Sequence, residues 1–294
     1  MAIHPHILHN GQIREAAGAV LRAGQIGALS GWGVFTTLRI VDGIPFAWER
    51  HWARMSRDAR SLHVPMPADP GALEAGLREL IRTNAQVNCT LRLAVVRNGG
   101  GMWEGPESKE SPFDVIAMTA DSKQWGESVR LGMQPNARFA GNEFAGAKVL
   151  AWAQNLTWAE RAQQGGFDEV VLLNQHGLVA ECTSANIFAS VGDTVFTPPL
   201  SDGCLPGITR EILLDVVREE GFRVLERSLT PDDLFRADEV FITSTTRDLL
   251  PVRELAGRRT GDNGAARRAL ARAFQQFLIV DMERRKNNSI LVGR

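Results

Sequence analysis

The chain has 294 residues, 44% of them hydrophobic and 23% charged, with a net charge of −1. These values describe a globular protein with room for a sizeable core, about two domains at roughly 150 residues each. They argue against a disordered or fibrous chain, a basic face for nucleic acid and, with no apolar run near the roughly 20 residues a bilayer demands, a membrane-spanning helix.

Residues 34–41 alternate apolar and polar side chains, Asp42-Gly43 turns the chain, and 44–48 run back, which predicts a β-hairpin. A helix is expected over 49–62, ending before the breakers Pro65 and Pro67. A second runs from Pro70 to Thr83, with Leu73, Leu77, Leu80 and Ile81 on one stripe. Strands follow at 90–97 and 113–119, separated by the flexible Gly99-Gly100-Gly101. The polar stretch 121–127 suggests a boundary between a smaller N-terminal domain, 1–121, and a larger C-terminal one, 122–294.

The second half opens with a strand at 129–133. An apolar helix is expected over 149–164, stopped by Gly165-Gly166. Residues 170–173 and 178–181, joined by Asn174-Gln175-His176-Gly177, read as another hairpin. Short strands are expected at 186–190 and 194–197, a helix over 207–220 stopped by Gly221, a strand at 223–227 and a short helix at 231–235. A strand at 239–243 and a long helix over 265–279 close the chain. Strands and helices mix, hairpins are frequent, and no regular βαβ period appears. Two domains of α+β type (mixed α/β) are expected rather than a doubly wound parallel sheet.

The residue inventory limits the chemistry. Tyrosine is absent, and lysine occurs only at Lys109, Lys123, Lys148 and Lys286. Cys89, Cys182 and Cys204 are few, odd in number and never spaced as CxxC, so neither a disulfide framework nor a zinc site is expected. Residues 1–12 lack the pattern of a secretory signal, which leaves the cytoplasm as the default compartment.

Lys148 stands alone in the apolar run 145–153. Burial there disfavours the charged ammonium, and a neutral amine attacks aldehydes. Local context alone favours the plainer alternative, a lysine that snorkels to the surface from an apolar helix. Glu181, among small polar residues at the end of a hairpin strand, suits a carboxylate that holds a protonated ring nitrogen, or a plain surface glutamate. Pro206-Gly207-Ile208-Thr209-Arg210 opens a helix whose free amides, hydroxyl and dipole suit a phosphate, or simply cap the helix. Ser244-Thr245-Thr246 adds hydroxyl and amide donors after a strand. Arg54 is placed to hold a phosphate in bidentate fashion, although in so arginine-rich a chain any single one is more commonly a solvated side chain. His4, His6 and His9 are expected in a mobile terminus, and no metal site is expected.

Taken together, these segments resemble the class IV, or fold-type IV, pyridoxal-phosphate enzymes. That family holds branched-chain aminotransferases, D-amino-acid aminotransferases and aminodeoxychorismate lyases. The matching stretches include Gly33-Val34-Phe35-Thr36-Thr37-Leu38-Arg39, His51-Trp52-Ala53-Arg54, Lys148, Glu181 through Phe188, Leu205-Pro206-Gly207-Ile208-Thr209-Arg210 and Ala237-Asp238-Glu239-Val240-Phe241. Each is weak alone; their joint order is specific. The resemblance implies two domains with the active site between them, a homodimer, and pyridoxal 5′-phosphate as cofactor, held largely by the C-terminal domain. It implies that Lys148 is the Schiff-base lysine and Glu181 the partner of the pyridine nitrogen. Arg54, Ile208, Thr209 and Thr245 match the phosphate set. Arg92 and Thr246 match substrate-side positions.

Departures bear on the substrate. Trp32 and Thr36 stand where many members have acids. Thr90 replaces a tyrosine two residues before Arg92, and Met102 falls where D-amino-acid enzymes place a carboxylate-binding arginine. Phe35-Thr36-Thr37 and Glu181-Cys182 lean towards the lyases, and Pro206 to Arg210 towards branched-chain transaminases. The leading expectation is a transaminase moving an amino group between a branched-chain-like amino acid and a 2-oxo acid. The alternatives are a lyase forming 4-aminobenzoate and pyruvate, and a non-catalytic phosphate-ligand binding protein.

Overall fold

The computed structural model describes residues 2–18, 21, 24–101, 111–215 and 221–292. The chain forms two compact units, one of Met1–Lys123, Ala147–Trp152 and Asp281–Arg294, the other of Gln124–Gly146 and Ala153–Val280. The contiguous division expected at 121/122 therefore omits two excursions: the Lys148 segment and the end of the chain both belong to the first unit.

The first unit contains β1 (Ile3–His9), β2 (Gln12–Glu15), α1 (Ile26–Ser30), β3 (Gly33–Val41), β4 (Ile44–Pro45), α2 (Trp48–Ser61), α3 (Pro70–Thr83), β5 (Cys89–Arg97) and β6 (Phe113–Ala120). Its strands form an antiparallel sheet in the order β2-β1-β6-β5-β3-β4. Asp69 caps α3, accepting from the Gly71 and Ala72 amides at 2.8 and 3.0 Å, and Pro70 supplies the preset first turn. The stripe Leu73, Leu77, Leu80 and Ile81 is buried as expected, together with Met55 and Ala59 of α2, against Leu38, Leu91, Leu93 and Val95 of the sheet. Each large apolar side chain removed from water there contributes about 1.5–3 kcal/mol.

Two expectations are corrected here. His4, His6 and His9 lie on an ordered strand rather than in a mobile terminus: β1 pairs with β2 and β6, and Ile7 and Leu8 are buried. Trp48 begins α2 rather than ending a strand, because Ala47 adopts φ 51° and turns the chain.

The second unit contains β7 (Val129–Arg138), α4 (Ala153–Gln164), β8 (Glu169–Asn174), β9 (Val179–Cys182), β10 (Asn186–Val191), β11 (Thr194–Thr197), α5 (Ile208–Asp215), β12 (Arg223–Glu226), α6 (Pro231–Arg236), β13 (Glu239–Ser244), β14 (Asp248–Leu255) and β15 (Arg258–Arg259). The strands follow the order β12-β11-β10-β13-β14-β7-β8-β9, with β15 on β14. Three pairings, β11 with β12, β14 with β7 and β7 with β8, are parallel, so this sheet is mixed. Its core joins Leu131, Val171, Ile187, Val240, Ile242 and Leu250. The last helix, α7 (Ala265–Val292), runs well past its expected end at 279. The helix expected over 207–220 is seen as α5, and 216–220 fall outside the described residues. No helix among the described residues is long and apolar enough to cross a membrane.

Candidate active site

In the first unit the site is built on β3 and α2. The edge of β3 opposite β5 is open near its start, and residues 148–150 take it. Phe35 donates its amide to the Lys148 carbonyl at 3.1 Å, Leu150 donates to the Gly33 carbonyl at 2.9 Å, and Val34 bridges Val149. Glycine at 33 is what admits this neighbour, since a Cβ there would lie 2.5 Å from both Leu150 Cδ1 and the Val95 carbonyl oxygen. Lys148 is therefore extended rather than helical: α4 starts only at Ala153, and the helix expected from 149 is corrected accordingly. The lysine Nζ lies 4.6 Å from the Phe35 ring and 4.8 Å from the Trp152 ring, which meet edge-to-face at 5.2 Å. Arg92, on β5, sets its guanidinium 3.9 Å from the same Phe35 ring. The favourable contact between a cation and the ring face helps hold each charge in place.

From α2, Arg54 donates Nη2 to the Thr36 hydroxyl at 2.8 Å, and that oxygen lies 2.6 Å from His51 Nδ1. His51 is fully buried. Burial first, then the charges of Arg54 and Lys148, hold its pKa well below 6.5, so the imidazole stays neutral. Among the described residues its Nε2 has no hydrogen-bond partner.

In the second unit the turn Thr183–Asn186 is the hub. Glu181 at the end of β9 is buried, and each of its oxygens has a donor: Arg138 Nε at 3.0 Å on one, the Leu205 amide at 3.0 Å on the other. Arg138 also donates to Asn155 at 3.2 Å, and Asn155 donates to the Thr183 carbonyl at 2.7 Å. Asn186 donates to the Leu205 carbonyl at 2.8 Å and crowds Gly207 so closely that a Cβ there would collide with it. Ile208 and Thr209, both buried, then open α5, and the amides of its first turn precede the helical hydrogen-bond ladder.

The turn carrying Thr245 and Thr246 is tied to the same hub by the next residue. Arg247 donates to the Ser184 carbonyl at 2.9 Å and to Glu169 at 3.2 Å, and stacks 3.9 Å from Trp125. Glu169 in turn accepts from Ser184 at 2.6 Å and from the Thr183 hydroxyl. In the second unit Glu181 precedes the turn, and the turn touches Gly207, just ahead of Ile208 and Thr209, and Arg247, just after Thr245 and Thr246. In the first, Lys148 and Arg92 lie against Phe35 and Arg54 bonds Thr36.

Sequence reasoning missed Asp58, Arg138, Asn155, Glu169 and Arg247. Asp58 alone had a local signal, four residues beyond Arg54 on one helix face. Cys182 and Cys204 are buried, and burial raises both thiols, Cys204 to about 12, so neither is a nucleophile at neutral pH. Met102 and Lys109 lie outside the described residues. Among those residues no His, Cys, Asp and Glu group is arranged to hold a metal ion.

The family model for class IV amino-transferases matches residues 33–255. D-alanine aminotransferase of Bacillus licheniformis is 30% identical over 273 residues, covering 87% of this chain and 90% of its own. The branched-chain amino acid aminotransferase of Escherichia coli superposes with a TM-score of 0.84 at 25% identity, over 94% of both chains. A second branched-chain amino acid aminotransferase, solved with pyridoxamine 5′-phosphate, gives 0.83 at 25% identity, again over 94% of each chain. The chain belongs to the class IV aminotransferase family and has its mixed α and β fold. It is an enzyme of the pyridoxal-phosphate-dependent type that defines this family.

Proposed function

We propose that the protein is a transaminase that moves an amino group between a hydrophobic, branched-chain-like amino acid and a 2-oxo acid, with Lys148 as its catalytic residue. The observation that carries the reading is the setting of that lysine, whose ammonium lies against Phe35 and Trp152 on the unit that also carries Arg54 and Arg92.

The donor set fits the family's cofactor. A lysine amine suits an aldehyde, a carboxylate fixed by two donors suits a protonated ring nitrogen, and a guanidinium with a helix N-terminus and threonine hydroxyls suits a phosphate. Pyridoxal 5′-phosphate, when bound, supplies the aldehyde that captures an amine and a pyridinium ring that draws electrons from its α-carbon. Lys148 would hold the cofactor through that aldehyde, and its amine would carry the proton taken from the substrate α-carbon. Glu181, fixed by Arg138 and the Leu205 amide, would hold the proton on the ring nitrogen. Arg54 would supply the counter-charge for the phosphate, and Thr209, Thr245 and the amides of Ile208 and Thr209 would donate hydrogen bonds to it. Arg92 and Thr246 receive a substrate carboxylate. Phe35 and Trp152 keep water from the lysine side chain. Exposed Phe139, Phe144, Leu156 and Leu200 on the second unit support a homodimer, for which light scattering is the test.

Purified protein should be yellow. Borohydride reduction followed by peptide mapping should place the adduct on Lys148, and Lys148→Ala should abolish it. An adduct on Lys109, Lys123 or Lys286 overturns the assignment. A half-reaction screen across L-, D- and aromatic amines then names the donor. A second reading, a lyase releasing 4-aminobenzoate and pyruvate, is favoured by Phe35-Thr36-Thr37. It predicts turnover without any 2-oxo acid acceptor.

A further inference from the structure

We propose that Asp58 is the positioning residue for Lys148, fixing the lysine's backbone to the helix face that carries Arg54. The inference rests on the reading of Lys148 given above and extends it to a residue that touches no substrate.

Asp58 is 2% exposed, and its Oδ2 accepts the backbone N–H of Lys148 at 3.0 Å. The other oxygen, Oδ1, receives Arg57 through Nη2 at 2.6 Å and Nε at 3.1 Å. The carboxylate is thus held from one side by a half-exposed guanidinium and offers its remaining oxygen to the lysine segment. His51, Arg54 and Asp58 are spaced at i, i+3 and i+7 on α2, which places all three on one stripe of a helix, and all three are buried. The neighbouring residues Met55 and Ala59 are locked in the core of the unit, so the stripe is rigid.

On its opposite side the lysine segment is pinned by the hydrogen bonds to Gly33 and Phe35. Without Asp58 those bonds still hold the segment on β3, but the amide at the root of the lysine side chain loses a charge-assisted tie to α2. Displacements near 1 Å at a reacting group cost on the order of a hundredfold in rate. One rigid helix therefore sets the spacing between the lysine segment and the Arg54 guanidinium. It holds the first through Asp58 and carries the second itself.

The test uses full-length enzyme carrying Asp58→Ala, Asp58→Asn, Asp58→Glu and, as control, Arg57→Ala. The readouts are affinity of the apoprotein for pyridoxal 5′-phosphate, the pH titration of the bound cofactor's visible absorption, and the fraction trapped on Lys148 by borohydride. Asp58→Ala should weaken cofactor affinity by about tenfold or more, the equivalent of one hydrogen bond to a charged group. The titration midpoint should shift with it. Asp58→Asn keeps an acceptor at the same place and should recover most of the loss. Asp58→Glu pushes the lysine segment away and should resemble the alanine variant, which keeps the test alive if Asp58→Ala fails to fold. Arg57→Ala, which frees Oδ1 but leaves Oδ2 on the lysine amide, should weaken cofactor affinity by less than Asp58→Ala. If wild type is trapped on Lys148 and the variants bind and titrate like it, the positioning role is wrong while the function stands. Asparagine behaving as badly as alanine also overturns it. Trapping of wild type on another lysine overturns both.

Discussion

Arg138 and Glu181 meet at 3.0 Å through Nε and Oε1, their side chains 19% and 11% exposed, so the pair is largely withdrawn from water. A neutral amide in place of the carboxylate leaves Arg138 without its counter-charge and offers nothing to balance a proton on a ring nitrogen. Glu181→Gln should slow the single-turnover half-reaction by roughly 10²–10³, the usual loss for one preorganised electrostatic partner. Borohydride should still attach the cofactor to Lys148 in this variant. A half-reaction at the wild-type rate would remove Glu181 from the proposed machinery.

His51 gives the chain a pH signature in stability. Its folded pKa lies below the ordinary 6.5, because of burial and then the charges of Arg54 and Lys148. Below about pH 6.5 the unfolded chain takes up a proton that the folded chain refuses, so this contribution is complete above that pH and declines as the pH falls. The slope is at most about 1.4 kcal/mol per pH unit. His51→Asn, which keeps a polar atom near Thr36, should flatten the dependence by that amount. Urea midpoints of both proteins between about pH 8 and pH 5 measure the difference; equal slopes would show that the imidazole protonates in the folded protein.

Much of the local structure could be read from the chain. Asp42-Gly43 takes φ 49° and 78° between β3 and β4, the left-handed pair that such a dipeptide announces. Asp69-Pro70 and the leucine stripe marked α3 for the same reason, that the signal and the element occupy the same residues. Asn10-Gly11, with φ 49° and 78°, carries an identical signal for the β1–β2 hairpin, hidden because the histidines around it suggested a free terminus. The Lys148 segment was not readable locally. It is extended because an open strand edge and two glycines, Gly31 and Gly33, more than a hundred residues earlier leave space for it. Arg138 and Arg247 escaped notice for a related reason: an arginine shows its role only when its partner, distant in sequence, is beside it.

Gly33 should therefore be as sensitive as a side chain in the site. Leu150 can rotate away from a new methyl group, but the Val95 carbonyl is backbone and must shift. Gly33→Ala should cost about 1–3 kcal/mol in urea unfolding, typical of overpacking, and should shorten the time for which cofactor survives dialysis. Gly43→Ala is the comparison. It has open space around its Cβ position but φ 78°, so it should lose about 1–2 kcal/mol and retain cofactor like wild type. Equal retention in both variants would mean that the β3 edge does not govern the lysine segment.

The last stretch of the chain should matter to the same helix. Asp281 Oδ2 accepts the Ala47 amide at 3.1 Å, just ahead of α2, and the Arg285 Nε at 3.1 Å. Arg285 is itself buried, with its pKa lowered to about 10 by desolvation, and also faces Glu74 at 3.6 Å and Glu49. Asp281→Ala removes the acceptor for Ala47 and one of three carboxylates around a buried guanidinium. The expected loss is about 3 kcal/mol, the low end for breaking a buried pair, because Glu49 and Glu74 remain. Hydrogen exchange should localise the loosening to the first turn of α2, ahead of any change in α3. Uniform exchange across both helices would instead mean that Asp281 supports the unit as a whole and does not anchor the helix that bears Arg54 and Asp58.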